Sequence, residues 1–245
     1  MTVDRRGLAA RALVHEAEYG GARLSPDGRR AVVVVSGELS IVDLERGTAT
    51  PLVPEIGRGA RDVPVWSRDG RSVTFASNHE GNWDIYSKPA TGAGEMAPVL
   101  KQPLDQDPES YAPDGTLLFR TIGPRTGTDL WLLQPGGQAR AWLATGAEQQ
   151  EARFSPDGRT VAYSSNASGR FEVYVQSRDN PAERAQVSAA GGTMPVWSPS
   201  RDRLFFRQGN AMMEATIRTS GGISASAPVR LFDGDGRWRS GSRST

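Results

Sequence analysis

The carboxylates that could act together stand in three short stretches of the sequence. Asp105, Asp107 and Glu109 alternate along one; Glu148 and Glu151 lie in a second; Asp62 sits beside Arg61 in a third. Acids at such spacings can share general acid and base work in glycoside hydrolysis, one held protonated and the other ionised. They can also hold the cations of a partner, or simply form a solvated rim. Arg61, Asp62, Asp105, Asp107, Glu109, Glu148 and Glu151 are therefore candidate partner-binding residues, and no residue is assigned a catalytic role.

Other chemistries are short of parts. The string nearest to a Gly-x-Ser-x-Gly nucleophile elbow, Gly222-Ile223-Ser224-Ala225-Ser226, lacks the last glycine. A kinase would need a Gly-rich loop, a strand lysine and a His-Arg-Asp loop, and none is present; Lys88 is expected in a Pro-containing turn. Cysteine is absent, which removes disulfides, thiolate metal sites and cysteine nucleophiles. His15 and His79 read as exposed loop residues rather than ligands. Asp233-Gly234-Asp235-Gly236 has the flavour of a calcium loop but not its alternating ligands or closing glutamate. Asn166-Ala167-Ser168 spells a glycosylation site and reads more simply as a polar loop. No cofactor and no metal are expected.

The elements that position these residues recur. Arg23-Leu-Ser-Pro-Asp-Gly-Arg, Val65-Trp-Ser-Arg-Asp-Gly-Arg, Ser110-Tyr-Ala-Pro-Asp-Gly-Thr, Arg153-Phe-Ser-Pro-Asp-Gly-Arg and Val196-Trp-Ser-Pro-Ser-Arg-Asp align. The turn acid falls at Asp27, Asp69, Asp114 and Asp157, with Ser200 in its place in the fifth copy, so the steps are 42, 45, 43 and 43 residues. Each copy opens on a large apolar residue (Leu24, Trp66, Tyr111, Phe154, Trp197), read as packing between repeats. A turn with Pro second and Gly fourth follows, which suits a type I geometry. Then come a β-rich run, a polar Gly-containing loop, an acid–aliphatic–aromatic triplet such as Asp84-Ile85-Tyr86, and a last short run. That is four short strands per repeat, with no stretch at helical spacing. Four-stranded units of this length are the blades of a β-propeller.

The repeat resembles the WD-like, TolB-type propeller repeat over about Val3 to Phe232. Such repeats occur in TolB proteins, in the propellers of prolyl-oligopeptidase-type serine peptidases and in the C-terminal sensor-like parts of some bacterial serine/threonine kinases. The resemblance implies a fold and leaves the function open, because propellers host unrelated sites.

The expected architecture is all-β, a six-bladed design with five complete blades at about 21–53, 62–100, 106–144, 149–188 and 193–232. Residues 1–14 would be the outer strands of a closing blade, since Val3-Asp4-Arg5-Arg6-Gly7 repeats the pattern of Val42 to Gly47. Residues 1–232 would form one domain and 233–245 an irregular tail, leaving the sixth blade incomplete and the closure open. A chain ending in this way is expected to be a truncated product or a piece of a larger bacterial signalling or peptidase polypeptide, of low stability.

Composition narrows the partners. The formal net charge of the 245 residues is +1, which supplies no field for nucleic acid. No apolar run reaches the ~18 residues of a membrane span. The N-terminus lacks the apolar stretch of a signal peptide, so the chain as written reads as cytoplasmic, or as periplasmic within a longer exported or membrane-anchored parent. The function expected is a non-enzymatic binding module that presents a protein or small ligand with a surface at the channel mouth. It would be a monomer unless the open blade pairs with another chain. The alternatives are the accessory propeller of a prolyl-oligopeptidase-type peptidase without its catalytic domain, or a hydrolase using the acid cluster.

Overall fold

The computed structural model describes residues 2–3, 9–11, 19–35, 38–53, 64–123, 127–200 and 202–234. Every regular element among them is a strand. β1 (Thr2–Val3) and β2 (Ala9–Arg11) pair as a two-stranded sheet. Five larger sheets follow in chain order. The first holds β3 (Tyr19–Leu24), β4 (Arg30–Val35), β5 (Glu38–Asp43) and β6 (Thr48–Val53). The second holds β7 (Val65–Trp66), β8 (Ser72–Ser77), β9 (Asp84–Pro89) and β10 (Ala97–Leu100). The third holds β11 (Asp105–Tyr111), β12 (Leu117–Gly123), β13 (Gly127–Leu133) and β14 (Ala139–Leu143). The fourth holds β15 (Gln149–Phe154), β16 (Thr160–Ser165), β17 (Glu172–Ser177) and β18 (Arg184–Gln186). The fifth holds β19 (Thr193–Trp197), β20 (Arg203–Gln208), β21 (Ala211–Arg218), β22 (Ser224–Ala225) and β23 (Val229–Asp233). The strands follow sequence order across each sheet, except that β22 and β23 both pair with β21, at opposite ends of that long strand. These sheets are the blades of a β-propeller. Lys88, expected in a turn, lies inside β9.

The chain divides into two compact units, between Tyr111 and Ala112 for most of its length. In the first, Val32, Val34, Leu39, Leu52, Trp66, Val73, Phe75 and Tyr86 form one apolar core. In the second, one cluster gathers Leu118, Leu130, Phe154, Val161 and Tyr163, and another gathers Val173, Val175, Leu204, Phe206 and Ile217. Each fully buried side chain of this size contributes about 1.5–3 kcal/mol, so the aliphatic and aromatic positions of the repeat carry the fold.

The repeated turn is built by its serine. Ser25 Oγ bonds Asp27 Oδ1 at 2.6 Å and Arg30 O at 3.0 Å, and it accepts the Arg30 N–H at 2.9 Å. Ser67 with Asp69 and Ser72, and Ser155 with Asp157 and Thr160, repeat the pattern. In the fifth copy Ser198 closes on Arg203 over the same span, and Asp202 supplies the carboxylate that Ser200 cannot. The third copy is one residue tighter, with Ala112 N–H bonded to Thr116 O. The serine hydroxyls hold the Asp27 and Asp69 carboxyls below the usual carboxylate range, as expected for groups tied into a turn.

The apolar residue before the turn has a different fate in the first copy. Trp66 and Phe154 are buried, at 6% and 7% exposure. The Trp66 indole N–H reaches Arg23 O of the first blade at 2.9 Å, and that of Trp197 reaches Arg153 O of the fourth at 3.1 Å. Leu24, expected to be packing between repeats, is 63% exposed. Trp66 and Trp197 each rest on the strand one repeat earlier, and no described four-stranded sheet precedes Leu24.

Candidate functional site

In the first unit the three acids of β11 share one face of the strand by their alternation. Asp105 is half-buried and its Oδ1 accepts the Trp83 N–H at 3.3 Å. Next to it the Gln106 N–H donates to Trp83 O at 2.7 Å, and Gln106 Nε2 donates to Gln102 O at 3.1 Å. Asp107 and Glu109 are buried, at 0% and 3% exposure. The start of β11 is thus braced against the 78–83 loop of the second blade, with Asp105 at its outer end. Arg61 and Asp62 lie outside the described residues.

In the second unit Glu148 and Glu151 are committed to different contacts. Glu148 is exposed, while its peptide N–H donates to Asn166 Oδ1 at 2.8 Å and its carbonyl accepts the Asn166 N–H at 3.3 Å. Gln149 N–H donates to Thr128 Oγ1 at 2.9 Å. Glu151 Oε2 accepts from Ser164 Oγ at 2.9 Å and from the Met194 N–H at 2.6 Å. Glu151 occupies a bulge where β15 carries one residue more than β16, and it has a left-handed backbone, φ 58°. Met194 holds the matching bulge in β19, with φ 56°. Sequence reasoning missed this feature, though a signal existed. Gly21, Glu151 and Met194 each lie four residues before their turn serine, and a glycine in one copy of a repeated position is a hint that the backbone there can depart from a regular strand.

The acids that open the third strand of a blade are structural. Asp84, Asp129 and Glu172 are all buried. Asp84 Oδ1 accepts the Gln102 N–H at 3.2 Å. Glu172, 1% exposed, accepts from Arg170 Nε at 2.7 Å, from the Gly191 N–H at 2.9 Å and from the Ser188 hydroxyl. Burial pushes its carboxyl up, yet the Ser188, Gly191 and Arg170 donors together outweigh burial and hold it below the usual range. His79 lies in an exposed turn, with Nδ1 3.3 Å from Ser77 Oγ and Nε2 3.4 Å from Glu80. Lys101 pairs with the same Glu80 and lies over the Tyr86 ring. Among the described residues no group of three or more His, Asp or Glu is placed to hold a metal ion.

A cleft of about 570 Å³ opens in the second unit where the segment entering β15 meets the loop after β16. Thr145, Gln149, Tyr163, Ser165, Asn166 and Arg184 supply its polar lining. None of these apart from Asn166 stands out in the sequence: Thr145 reads as ordinary loop, and Gln149, Tyr163, Ser165 and Arg184 read as ordinary strand positions.

No family model matches the chain. An alignment of 112 positions that covers 40% of this chain is 36% identical to the lipoprotein LpqB of Corynebacterium jeikeium, and it covers 18% of that protein. The chain therefore spans less than a fifth of this relative. Among solved structures, it superposes on a protein described as TolB from Agrobacterium tumefaciens with a TM-score of 0.74 and 20% identity, covering 89% of this chain and 81% of the other. For TolB of Acinetobacter baumannii the values are 0.68 and 19%, covering 89% and 58%. For an oligogalacturonate lyase in complex with manganese they are 0.66 and 18%, covering 94% and 70%. At these identities the likeness is one of fold. The fold is the TolB-type β-propeller.

Proposed function

We propose that this TolB-like propeller is a non-enzymatic binding module that holds a protein partner on the surface around the starts of its first strands. The observation that carries the reading is the bracing of those starts. Asp105 and Gln106 are tied to Trp83 in the first unit, and Glu148 is tied to Asn166 in the second. A segment already held by main-chain bonds loses little freedom when a partner docks, so its exposed groups bind at low ordering cost. In the first unit the outer edge of Asp105, and in the second unit Glu148, each offer a carboxylate to a basic partner; Arg61 and Asp62 remain candidates from the sequence alone, outside the described residues. Asp107 and Glu109 support from within. The stretch shared with a lipoprotein supports the version in which the propeller serves a larger, anchored parent.

Site-specific photo-crosslinking in the native host tests this. A benzophenone side chain is placed at Glu148 or at Asp105, and for comparison at Arg46 in the exposed turn between β5 and β6. Discrete protein adducts from positions 148 and 105 but not from 46 are expected. No adduct at either acid position, or equal adducts at all three, would overturn the reading.

A further inference from the structure

The turn between β8 and β9 carries an imidazole whose partners lie within the first unit. His79 Nε2 is 3.4 Å from Glu80 Oε1, and its Nδ1 is 3.3 Å from the hydroxyl of Ser77, which is buried. A carboxylate only accepts, so Nε2 carries the proton in the neutral ring and Nδ1 accepts from Ser77. The ring also meets Tyr86 of β9 in a T-shaped contact, with centroids 4.5 Å apart.

Glu80 uses its second oxygen elsewhere. Oε2 pairs with Lys101, in the link between β10 and β11. The two bases take different oxygens of one carboxylate, so a charge on His79 adds an ion pair without displacing Lys101. The same link is tied to the turn along its length. Asn82 Nδ2 donates to Pro103 O at 3.3 Å, the Gln102 N–H to Asp84 Oδ1 at 3.2 Å, the Trp83 N–H to Asp105 Oδ1 at 3.3 Å, and the Gln106 N–H to Trp83 O at 2.7 Å. Closure also has a cost. Asn78 Oδ1 is buried with no donor among the described residues, which favours an opened turn where water reaches it. The turn is thus held from one side and loosened from the other.

The imidazole is the group here whose charge ordinarily changes between about pH 5 and 8. Lys101, with His79 behind it, holds the Glu80 carboxyl below the usual carboxylate range, so it stays ionised. Glu80 pushes the Lys101 ammonium up, so it stays charged, and burial pushes the Tyr86 phenol up, so it stays neutral. Asp84 of β9 and Asp105 of β11, further charged groups beside the turn, each accept a main-chain N–H.

We infer that the 78–83 turn is a proton-operated latch. Charging His79 pins the Glu80 carboxylate in the orientation that faces Lys101, and so clamps the turn onto the 101–106 segment that presents Asp105. The tightening is present near pH 6 and is lost towards pH 8, because the added pair exists only with the charged ring. The latch itself is a property of the turn; its effect on docking at Asp105 rests on the binding-module reading.

Amide hydrogen exchange of the whole chain tests this, read by NMR at the Trp83, Gln102 and Gln106 N–H groups and corrected for the intrinsic rate at each pH. Protection about two- to fivefold higher at pH 6 than at pH 8 is expected, the range open to a partly exposed ion pair. His79→Gln and Glu80→Gln should each remove the difference. Equal protection of the parent at both pH values, higher protection at pH 8, or a difference that survives in His79→Gln would each overturn the latch. A crosslinked partner at position 105 with no pH response of the turn leaves the module reading standing and removes this one. A pH response without any crosslinked partner does the reverse.

Discussion

Glu151 Oε2 accepts the main-chain N–H of Met194 at 2.6 Å, and both residues hold left-handed backbones, φ 58° and 56°. They occupy the same place in successive repeats, each in a bulge of its blade's first strand. A left-handed backbone costs a side-chain-bearing residue about 1–2 kcal/mol. Here one such residue supplies the acceptor that fixes the next, so the strain is spent on joining the fourth blade to the fifth.

Glu151→Ala should therefore destabilise the second unit by about 1–3 kcal/mol, since it removes a charged acceptor from the Met194 N–H and the Ser164 hydroxyl and keeps the strained backbone. Glu151→Gly should cost less, because glycine relieves the backbone while losing the same bonds. Urea unfolding of the two variants beside the parent checks the order. Equal midpoints for all three would show that the bond contributes nothing.

The turn glycines separate backbone strain from close approach. Gly28 and Gly158 hold the same turn position with φ 69° and 73°. A Cβ on Gly28 would meet nothing within 4 Å, whereas one on Gly158 would lie 2.6 Å from Pro113 Cδ in the turn one repeat earlier. Gly28→Ala should cost about 1 kcal/mol and Gly158→Ala about 2–4 kcal/mol, the excess coming from overpacking. The contrast is read from thermal or urea midpoints, and matching losses would deny the contact between the turns.

Glu172 predicts an acid limb to stability. Its carboxyl is held below its ordinary value in the folded state, so its contribution is present above the unfolded pKa and is lost as pH falls through the folded one. Glu172→Gln should be less stable than the parent at pH 7. The gap should narrow steadily as pH drops below the usual carboxylate range, where the parent's Glu172 is itself protonated. Urea midpoints at a series of pH values give the comparison, and a gap that stays constant to the acid end would contradict the assignment.

The β-propeller was legible in the order of residues because its causes are local and repeated. A Ser-Pro-Asp-Gly turn, a β-branched run and a buried Asp-Ile-Tyr opening are each set by neighbours a few positions away, and recurrence every ~43 residues multiplies a weak local signal into a clear one. The same locality explains why the fifth copy misled only in detail. Ser200 stands where the turn acid belongs, and Asp202 reaches back to do its work. Leu24, Asp107 and Glu151 were beyond that reading. Whether Leu24 is covered, whether Asp107 faces water and which bulge residue meets the next blade all depend on segments tens of residues apart. The sequence by itself determined the repeating strands and turns, since short-range sterics and hydrogen bonding dictate them. Only the tertiary structure decided which acids brace the blades and which polar groups line a cleft, because burial and long-range pairing are properties of the packed chain.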